Sequence, residues 1–375
     1  MNHALPRCFF LLTLFVGTAG AETVSHSLGI EAPPGGETVA YDMNTAGQVA
    51  AVIADDNGSQ RGIFFQNGKS TELGTLGGAE SVATRINDKG EIAGSARLKD
   101  HDWHAFVYDH SSGMHDLGTL GGHISHGMAI NNAGDVVGYA DTANDDMHAF
   151  LYQHGMPMKD LGTLGGATSN ASGINNKGQV VGTATLPDQY KHAFLYEPAR
   201  GMVDLGTLGG RISTATAIND SGVIVGASET KDRHWHAFVY DGHKMVDLGA
   251  KIGFGDSFAT GINSAGHVVG TVLLDEERMS FVWRDNQMLL HHGTRSLFVM
   301  NAINDAEQVI GATYSLGLHA ATMSSGAAPI LDHGGKNLLG LIATVLTLAG
   351  AIIIYRKRYR GILINAYANR GRWAN

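Results

Sequence analysis

Histidine gives this chain its most obvious capacity for chemistry, because an imidazole can bind a transition metal or carry a proton near neutral pH. The 375 residues include 19 histidines, and two pairs, His101 with His104 and His234 with His236, are close enough in sequence to suggest metal ligands. A zinc site needs three or four ligands about 2.1 Å from the ion. A metal site therefore requires that the fold bring several of these histidines together.

Four histidines recur once per repeat in a His-Ala-Phe tripeptide, and equivalent positions of successive repeats are held apart. We expect each of them to make a hydrogen bond that every repeat needs. Four others fall in or near turns, where we expect solvated side chains. The Asn-Asp turns lack the alternating oxygen ligands and final Glu of a calcium loop. We predict no metal site and no cofactor. The tripeptide residues are His104, His148, His192 and His236, and the turn residues are His123, His126, His291 and His292.

Known catalytic motifs are missing from the sequence. It contains no Gly-x-Ser-x-Gly, no His-Glu-x-x-His and no Ser-x-Asp-x-Gly-x-Thr-Trp box of the kind found in sialidase-like propellers. Nucleophile elbows and zinc proteases use the first two patterns because the spacing places the reacting groups together. We therefore predict no catalytic residue and no enzymatic activity. An exported hydrolase or lyase acting on glycans stays open as the alternative.

The elements that position all these side chains come from a repeat of 44 residues with three signatures in register. A period of 40 to 50 residues with several strand signals is typical of a propeller or solenoid. Seven copies of the IN-x-x-G signature predict seven units. LGTLGG begins at Leu73, Leu117, Leu161 and Leu205 and, in decayed form, at Leu248; the motif asparagines are Asn44, Asn87, Asn131, Asn175, Asn219, Asn263 and Asn304.

One unit, residues 80–120, predicts four antiparallel strands and no helix. Alternating apolar residues indicate strands at 81–86, 91–97, 104–108 and 114–117. Asn and Gly between the first two strands favour a tight turn. The glycine pair of LGTLGG suits a crossover to the next unit, where the main chain needs positive φ. Apolar residues on both strand faces suit a sheet packed between two others, and the small residues of the first strand suit a crowded axis. We predict an all-β fold, a seven-bladed β-propeller of four-stranded blades.

The two ends of the repeat array indicate how the ring closes. Residues 25–29 resemble the end of a unit without its first three strands, whereas the last unit lacks an LG motif after His319. A closed ring leaves no free sheet edge only if one terminus completes the last blade. We predict that the N-terminal strand supplies the outer strand of blade seven.

The three signatures in register make the segment from Leu28 to Met323 resemble the HAF repeat family of extracellular repeat proteins. The resemblance implies an exported bacterial protein, at the cell surface or in the periplasm. It implies no active-site residues, because the biochemical role of that family is largely undefined. The first, sixth and seventh copies depart from the His-Ala-Phe tripeptide.

The polar stretch between the second and third strands of each unit is the most individual part of the repeat. We expect these stretches to vary in length and content and to form surface loops on the same face as the Gly-rich crossovers. That face is the candidate binding platform for a protein or glycan, with plain solvation of the loops as the alternative. Its candidate residues are Asp100, His101, Asp102, Trp103, Asp145, Asp146, Tyr190, Asp232, His234, Trp235, Asp275, Glu276 and Glu277.

Both ends of the chain carry apolar segments that predict where in the cell the protein lies. Residues 1–21 have the basic start, apolar run and Ala-Gly-Ala site of a signal peptide. Residues 22–326 form the predicted propeller and 327–337 a linker. The 18 uncharged residues 338–355 can cross a bilayer as a helix. The basic tail 356–375 then stays in the cytoplasm. A cleaved sorting signal is the alternative, although 15 residues follow Arg360.

Charge and cysteine content agree with export. The predicted signal and tail hold seven of the 26 basic residues, so the exported part has 19 against all 35 acidic residues. An acidic surface argues against nucleic acid as a partner, because phosphate contacts need clustered Lys and Arg. The one cysteine, Cys8, lies in the signal, so packing must stabilise the exported domain. We predict a membrane-anchored propeller that serves as a binding module outside the cytoplasm. A sensor coupled through the single span is a weaker possibility, because the 20-residue tail would need a signalling partner.

Overall fold

The computed structural model describes residues 25–251, 255–274, 277–291, 299–314 and 318–324. These residues form 28 strands in seven four-stranded antiparallel sheets, each of which is one blade. The inner strands of neighbouring blades contact one another around the whole ring, and the inner strand of blade seven contacts that of blade one. The predicted seven-bladed β-propeller of four-stranded blades is therefore confirmed. The predicted signal peptide, linker, membrane span and tail lie outside the described residues.

The strands follow one another outward from the axis in blades one to six. Blade one contains β2 (Glu37–Met43), β3 (Val49–Ala54), β4 (Gln60–Gln66) and β5 (Lys69–Glu72). Blade two contains β6 (Gly77–Ile86), β7 (Ile92–Leu98), β8 (Trp103–Asp109) and β9 (Gly113–Asp116). Blade three contains β10 (Gly121–Ile130), β11 (Val136–Thr142), β12 (Met147–Tyr152) and β13 (Lys159–Asp160).

Blades four to seven repeat this arrangement, with a short 3-10 helix (Gly249–Lys251) after blade five. Blade four contains β14 (Ser169–Ile174), β15 (Val180–Thr185), β16 (Lys191–Glu197) and β17 (Gly201–Asp204). Blade five contains β18 (Gly209–Ile218), β19 (Ile224–Thr230), β20 (Trp235–Tyr240) and β21 (Met245–Asp247). Blade six contains β22 (Asp256–Ile262), β23 (Val268–Leu274), β24 (Glu277–Arg284) and β25 (Gln287–His291). Blade seven contains β26 (Val299–Ile303), β27 (Gln308–Tyr314), β28 (Leu318–Ser324) and the short β1 (His26–Ser27).

The hydrophobic core lies between the faces of adjacent blades. The Phe of each His-Ala-Phe tripeptide is completely buried, as Phe106 shows in blade two. This ring fits because the neighbouring strand has Gly94, whose added Cβ would lie 2.6 Å from Phe106 Cζ. Blade one has a different pair in the same register, Ala51 opposite Ile63. A Cβ at Gly94 would also collide with the main-chain oxygen of Val82 on the inner strand, and blade seven keeps Gly311 opposite the small Ala321. The close inner strand therefore favours glycine here as well as the Phe ring does.

The motif asparagines link all seven blades into one ring of hydrogen bonds at the turn between the first two strands. Each buried side-chain amide donates to the main-chain carbonyl of the motif asparagine in the next blade, over 2.9 to 3.3 Å. The side-chain oxygen accepts main-chain N–H groups of its own turn, as Asn175 does from Lys177 and Gln179. Each asparagine therefore satisfies a tight turn and an interblade contact together.

Three further contacts join blade seven to the start of the chain. The N–H of Ala320 donates to Thr38 Oγ1 over 2.8 Å, the same bond that Ala105 makes to Ser125 between blades two and three. Strand β1 pairs with β28 in antiparallel register, with Ser27 opposite Ala321. The N–H of Leu28 then donates to Ala320 over 3.1 Å. The segment after residue 25 thus lies along the outer edge of the seventh sheet.

Candidate functional site

One face of the ring carries both the loops between second and third strands and the LGTLGG crossovers. We call it the crossover face. In blade two, Gly77 at the start of the first strand lies opposite Leu98 at the end of the second, beside the loop. Isolated bridges join the crossovers to the same strand ends in blades two, three and five. The predicted placement of the loops on this face is confirmed by that register, because a four-stranded meander returns both connections to one end.

The loops of blades one to five share one length and one backbone conformation, so the expectation that loop length differs in every copy is wrong for these five blades. Each has a turn hydrogen bond, such as His101 N–H to Leu98 O over 3.1 Å and Arg233 N–H to Thr230 O over 3.1 Å. The donor residue of each turn has positive φ, for example 69° at Arg233. Blade one uses Gly58 at this position, with φ of 83°. The side chains of these loops therefore differ from blade to blade, whereas the loop backbone is the same.

Several candidate residues contact the next blade across the cleft between blades. Asp102 Oδ2 lies 3.6 Å from His123 Nδ1. The hydroxyl of Tyr190 accepts a hydrogen bond from Arg211 over 2.6 Å, and the Arg211 guanidinium lies over the Tyr190 ring. These pairs involve residues 21 apart in sequence, one before the third strand and one after the crossover glycines. A similar contact 22 residues apart brings His234 Nδ1 to 3.5 Å from Asp256 Oδ1.

Trp103 belongs to a packed cluster between blades two and three. The Arg97 guanidinium carbon lies 4.9 Å from the Trp103 ring centre, and Arg97 Nε binds Glu80 over 2.6 Å. The rings of His126 and Tyr139 are 4.9 Å apart, and His126 lies 5.8 Å from Trp103. Trp235 makes a similar interblade contact, because it stacks on Phe258 with the ring centres 5.9 Å apart. Both tryptophans are therefore half-buried packing residues at the ends of strands next to the crossover-face loops.

Two histidines expected to be solvated are placed differently. His126 lies on strand β10, where its Nδ1 is 3.0 Å from Ser95 Oγ. Burial lowers the pKa of His126 to about 4, helped by the charge of Arg97, so this imidazole is neutral. His291 lies on β25 and is completely buried, at the position that Leu117 occupies in blade two. The expectation fails because both residues lie on strands that neighbouring blades cover. His292 lies outside the described residues.

The remaining candidate residues that the structure describes are dispersed around the crossover face. Asp100, His101, Asp145 and Asp232 are exposed at loop tips, and Asp146 is half-buried. Glu277 begins β24, and Asp275 and Glu276 lie outside the described residues. No group of three or more His, Cys, Asp or Glu in the described part of the chain is arranged to hold a metal ion. The face therefore offers separate acidic positions around a ring, with an aromatic edge in several clefts.

The recurring histidine makes the hydrogen bond expected of it in each complete His-Ala-Phe copy. His104 Nδ1 lies 2.8 and 3.0 Å from the two carboxylate oxygens of Asp116 on the outer strand. Asp116 also accepts the N–H of Gly118 over 2.8 Å, which fixes the start of the LGTLGG turn. The same pairs are His148 with Asp160, His192 with Asp204 and His236 with Asp247. The histidine of this pair is recognisable in the sequence by its recurrence, whereas its Asp partner before each LG motif resembles an ordinary loop residue.

The second polar feature is a channel along the axis near the Asn turns, which the sequence analysis missed. Its cavity has a volume of about 170 Å³. The corresponding position of the inner strand is Ala or Gly in five blades, but Asp42 and Arg85 in blades one and two. Asp42 Oδ2 accepts the N–H of Ile86 over 3.0 Å. Aligning the seven inner strands on their motif Asn would have shown these two departures from small residues.

The described residues include no helix that is long and apolar enough to span a membrane, and the predicted span at 338–355 is not among them.

Comparisons with known proteins bear on the fold. No family model matches the chain and no curated protein matches it. Among solved structures, it is similar to the β-propeller domain of the Trilobed protease from Pyrococcus furiosus, described as having an open velcro topology: 15% identity, TM-score 0.54, 77% of this chain and 96% of that one.

Two further structures share the architecture. A puromycin-hydrolyzing peptidase of Mycobacterium tuberculosis has 9% identity and a TM-score of 0.55, over 82% of this chain and 54% of that chain. The BP39L lectin of Burkholderia pseudomallei has 10% identity and a TM-score of 0.50, over 78% and 98%. At these identities, the likeness shows the fold alone. The chain has the β-propeller fold that these proteins have in common.

Proposed function

We propose that this chain is an exported, membrane-anchored binding module whose crossover face contacts a protein or glycan outside the cytoplasm. The observation that carries the proposal is that the loops of blades one to five present different side chains on one repeated backbone conformation. Loops held by a rigid scaffold are a common basis of recognition, because little conformational freedom is lost on binding.

Export and anchoring rest on the sequence. The signal-like residues 1–21, the apolar run 338–355 and the basic residues after it support a propeller outside the membrane and a tail inside. The three signatures in register support membership of the HAF repeat family. Accessibility of the propeller to protease added outside spheroplasts tests this orientation, and protection of the propeller would contradict it.

Ring closure by the N-terminal strand belongs to the same proposal. Ser27-Leu28-Gly29 takes the place that Asp116-Leu117-Gly118 takes in blade two. The N–H of Gly29 binds Ser27 Oγ over 3.1 Å, as Gly118 binds Asp116. Leu28 packs against the cluster between blades one and seven. We propose that this segment completes the seventh blade and keeps the platform rigid.

The test is a protein and glycan binding screen with the full-length protein in detergent micelles. A ligand of the crossover face should lose at least tenfold in affinity when Asp100, Asp102, Asp145 and Asp146 become Asn together. The control changes Asp88 and Asp220 to Asn and is compared with the pair Asp100 and Asp102 changed alone, because Asp88 and Asp220 lie on the Asn-turn face. Equal affinity of both variants would overturn the platform. Release of product from a glycan in the same screen would favour the hydrolase or lyase alternative.

A further inference from the structure

The axial channel near the Asn turns is the second place where this propeller could recognise a molecule. Five of its wall residues, Ala129, Gly173, Ala217, Gly261 and Ala302, are as small as residues can be. They are small because the inner strands approach closely, so that a Cβ on Gly261 would lie 3.1 Å from Ala302 Cα. Asp42 and Arg85 are the two large side chains at the same level, on adjacent blades.

Neither charge is fully used by the protein. The Arg85 guanidinium donates from Nη1 to the Thr84 carbonyl over 3.0 Å, and Asp42 accepts the Ile86 N–H. Within the described residues no carboxylate forms an ion pair with Arg85. Burial raises the pKa of Asp42, and the positive charge of Arg85 acts in the opposite direction. Two half-buried charges that are not paired with each other cost stability, so their presence at a site otherwise built from Ala and Gly needs a reason.

We propose that this end of the channel binds a small zwitterion, an α-amino acid of the size of glycine or alanine. The Arg85 guanidinium takes its carboxylate, and the Asp42 carboxylate takes its ammonium group. Opposite charges on neighbouring blades suit a ligand carrying both charges, since Asp42 repels a simple anion and Arg85 a simple cation. A guanidinium is well suited to a carboxylate because its N–H groups are arranged as a planar fork.

The size of the cavity favours a small ligand. Its volume of about 170 Å³ suits a molecule such as glycine or alanine. Larger side chains would meet the Ala and Gly wall. This site lies at the opposite end of the ring from the crossover face, and the inference does not depend on the binding function proposed for that face.

The test is calorimetric titration of the full-length protein in micelles with glycine, L-alanine, acetate, methylammonium and L-tryptophan. Glycine and alanine should bind with dissociation constants of about 1 mM or less, whereas the other three should bind at least tenfold more weakly. Asp42→Asn and Arg85→Gln should each weaken glycine binding at least tenfold. Asp220→Asn is the control, because it removes a charge from the same face outside the channel wall.

A second measurement uses the unmodified protein and does not depend on the folding of a variant. Adding glycine should shift the amide signals of Ile86 and Ala217 in an NMR spectrum and leave that of Asp145, on the crossover face, unmoved. Absence of heat and of shifts at about 10 mM glycine would overturn the proposal. Binding of acetate as tight as that of glycine, or folded Asp42 and Arg85 variants that bind like the unmodified protein, would overturn it as well.

Discussion

The side-chain amide nitrogen of Asn304 lies 3.3 Å from the main-chain oxygen of Asn44, although 260 residues separate them in sequence. This bond joins the seventh blade to the first and completes the ring of seven asparagine bonds. Each bond is buried and directional, so each must be satisfied for the turn beside it to form. The IN-x-x-G signature is therefore explained by an interblade role as well as by the turn.

Replacing one asparagine of the ring should destabilise the whole propeller. Asn175→Ala leaves the Asn219 carbonyl and the N–H groups of Lys177 and Gln179 without their partner. We expect the free energy of unfolding to fall by about 3 kcal/mol. The exposed neighbour Asn176 is the control, and Asn176→Ala should cost less than about 1 kcal/mol. Equal effects of the two changes in denaturant titrations would refute the structural role of the ring.

The His–Asp pair of each blade should behave as a coupled unit. His104→Met and Asp116→Leu should each cost about 1 kcal/mol, because either change leaves a polar partner without its bond. The double variant should recover part of that loss, since blade six has Met279 and Leu290 at the same register positions. A double-mutant cycle measures the coupling, expected at about 1 kcal/mol. Additive single effects would show that the pair has no energetic connection.

Acid should destabilise the propeller through His126. Burial lowers the pKa of His126 to about 4 from 6.5. Between these values the unfolded chain binds a proton that the folded chain does not, so stability falls as pH falls from 6.5 toward 4. The largest loss from this residue is about 3 kcal/mol.

The control for this pH dependence is His126→Val, because Val39 and Val82 occupy the same inner-strand position in blades one and two. The two proteins are compared by denaturant unfolding at several pH values between about 8 and 4. This range includes the pKa of His126 in both the unfolded and the folded chain. The variant should keep more of its stability at the acid end. Parallel curves for both proteins would mean that His126 does not contribute.

The proposed closure makes a prediction at Leu28, whose N–H donates to Ala320. Leu28→Pro removes that donor and should lower the free energy of unfolding by about 2 kcal/mol. Amide hydrogen exchange should also accelerate in β28 more than in other strands. Glu31→Pro, which places the same ring beyond β1, is the control. Unchanged exchange in β28 would argue that the N-terminal segment does not close the blade.

The blades were predictable because each structural rule appears seven times in the sequence. Strand ends, Asn turns and crossover glycines recur at a fixed period. The strands of a degenerate repeat such as blade one can therefore be located from those of the other repeats. The role of His104 followed from recurrence too, although its partner Asp116 did not, because an Asp before LG resembles an ordinary loop residue. The common length of the loops is visible in the constant spacing from Asn87 to His104 and from Asn219 to His236.

The features that make individual blades different were harder to predict. Contacts such as Trp103 with His126 join different blades, and a single-repeat interpretation places His126 near a turn. The axial charges Asp42 and Arg85 each occur in one blade only. Periodicity therefore does not distinguish them from chance differences between repeats. Their location follows only when the seven inner strands are set side by side, which identifies one position on each strand as the axial one.

The asparagine ring also determines where the molecule is mechanically weakest. Continuous chain runs from blade to blade beside all seven links, but beside the link from Asn304 to Asn44 that chain starts at β1, which only hydrogen bonds attach to β28. Mechanical force or denaturant should therefore separate β1 from β28, and so open the ring there, before any other two blades separate. A circular permutant tests this: residue 324 is joined covalently to residue 25, and the chain is cut in another turn. The ring should then open first at the new cut.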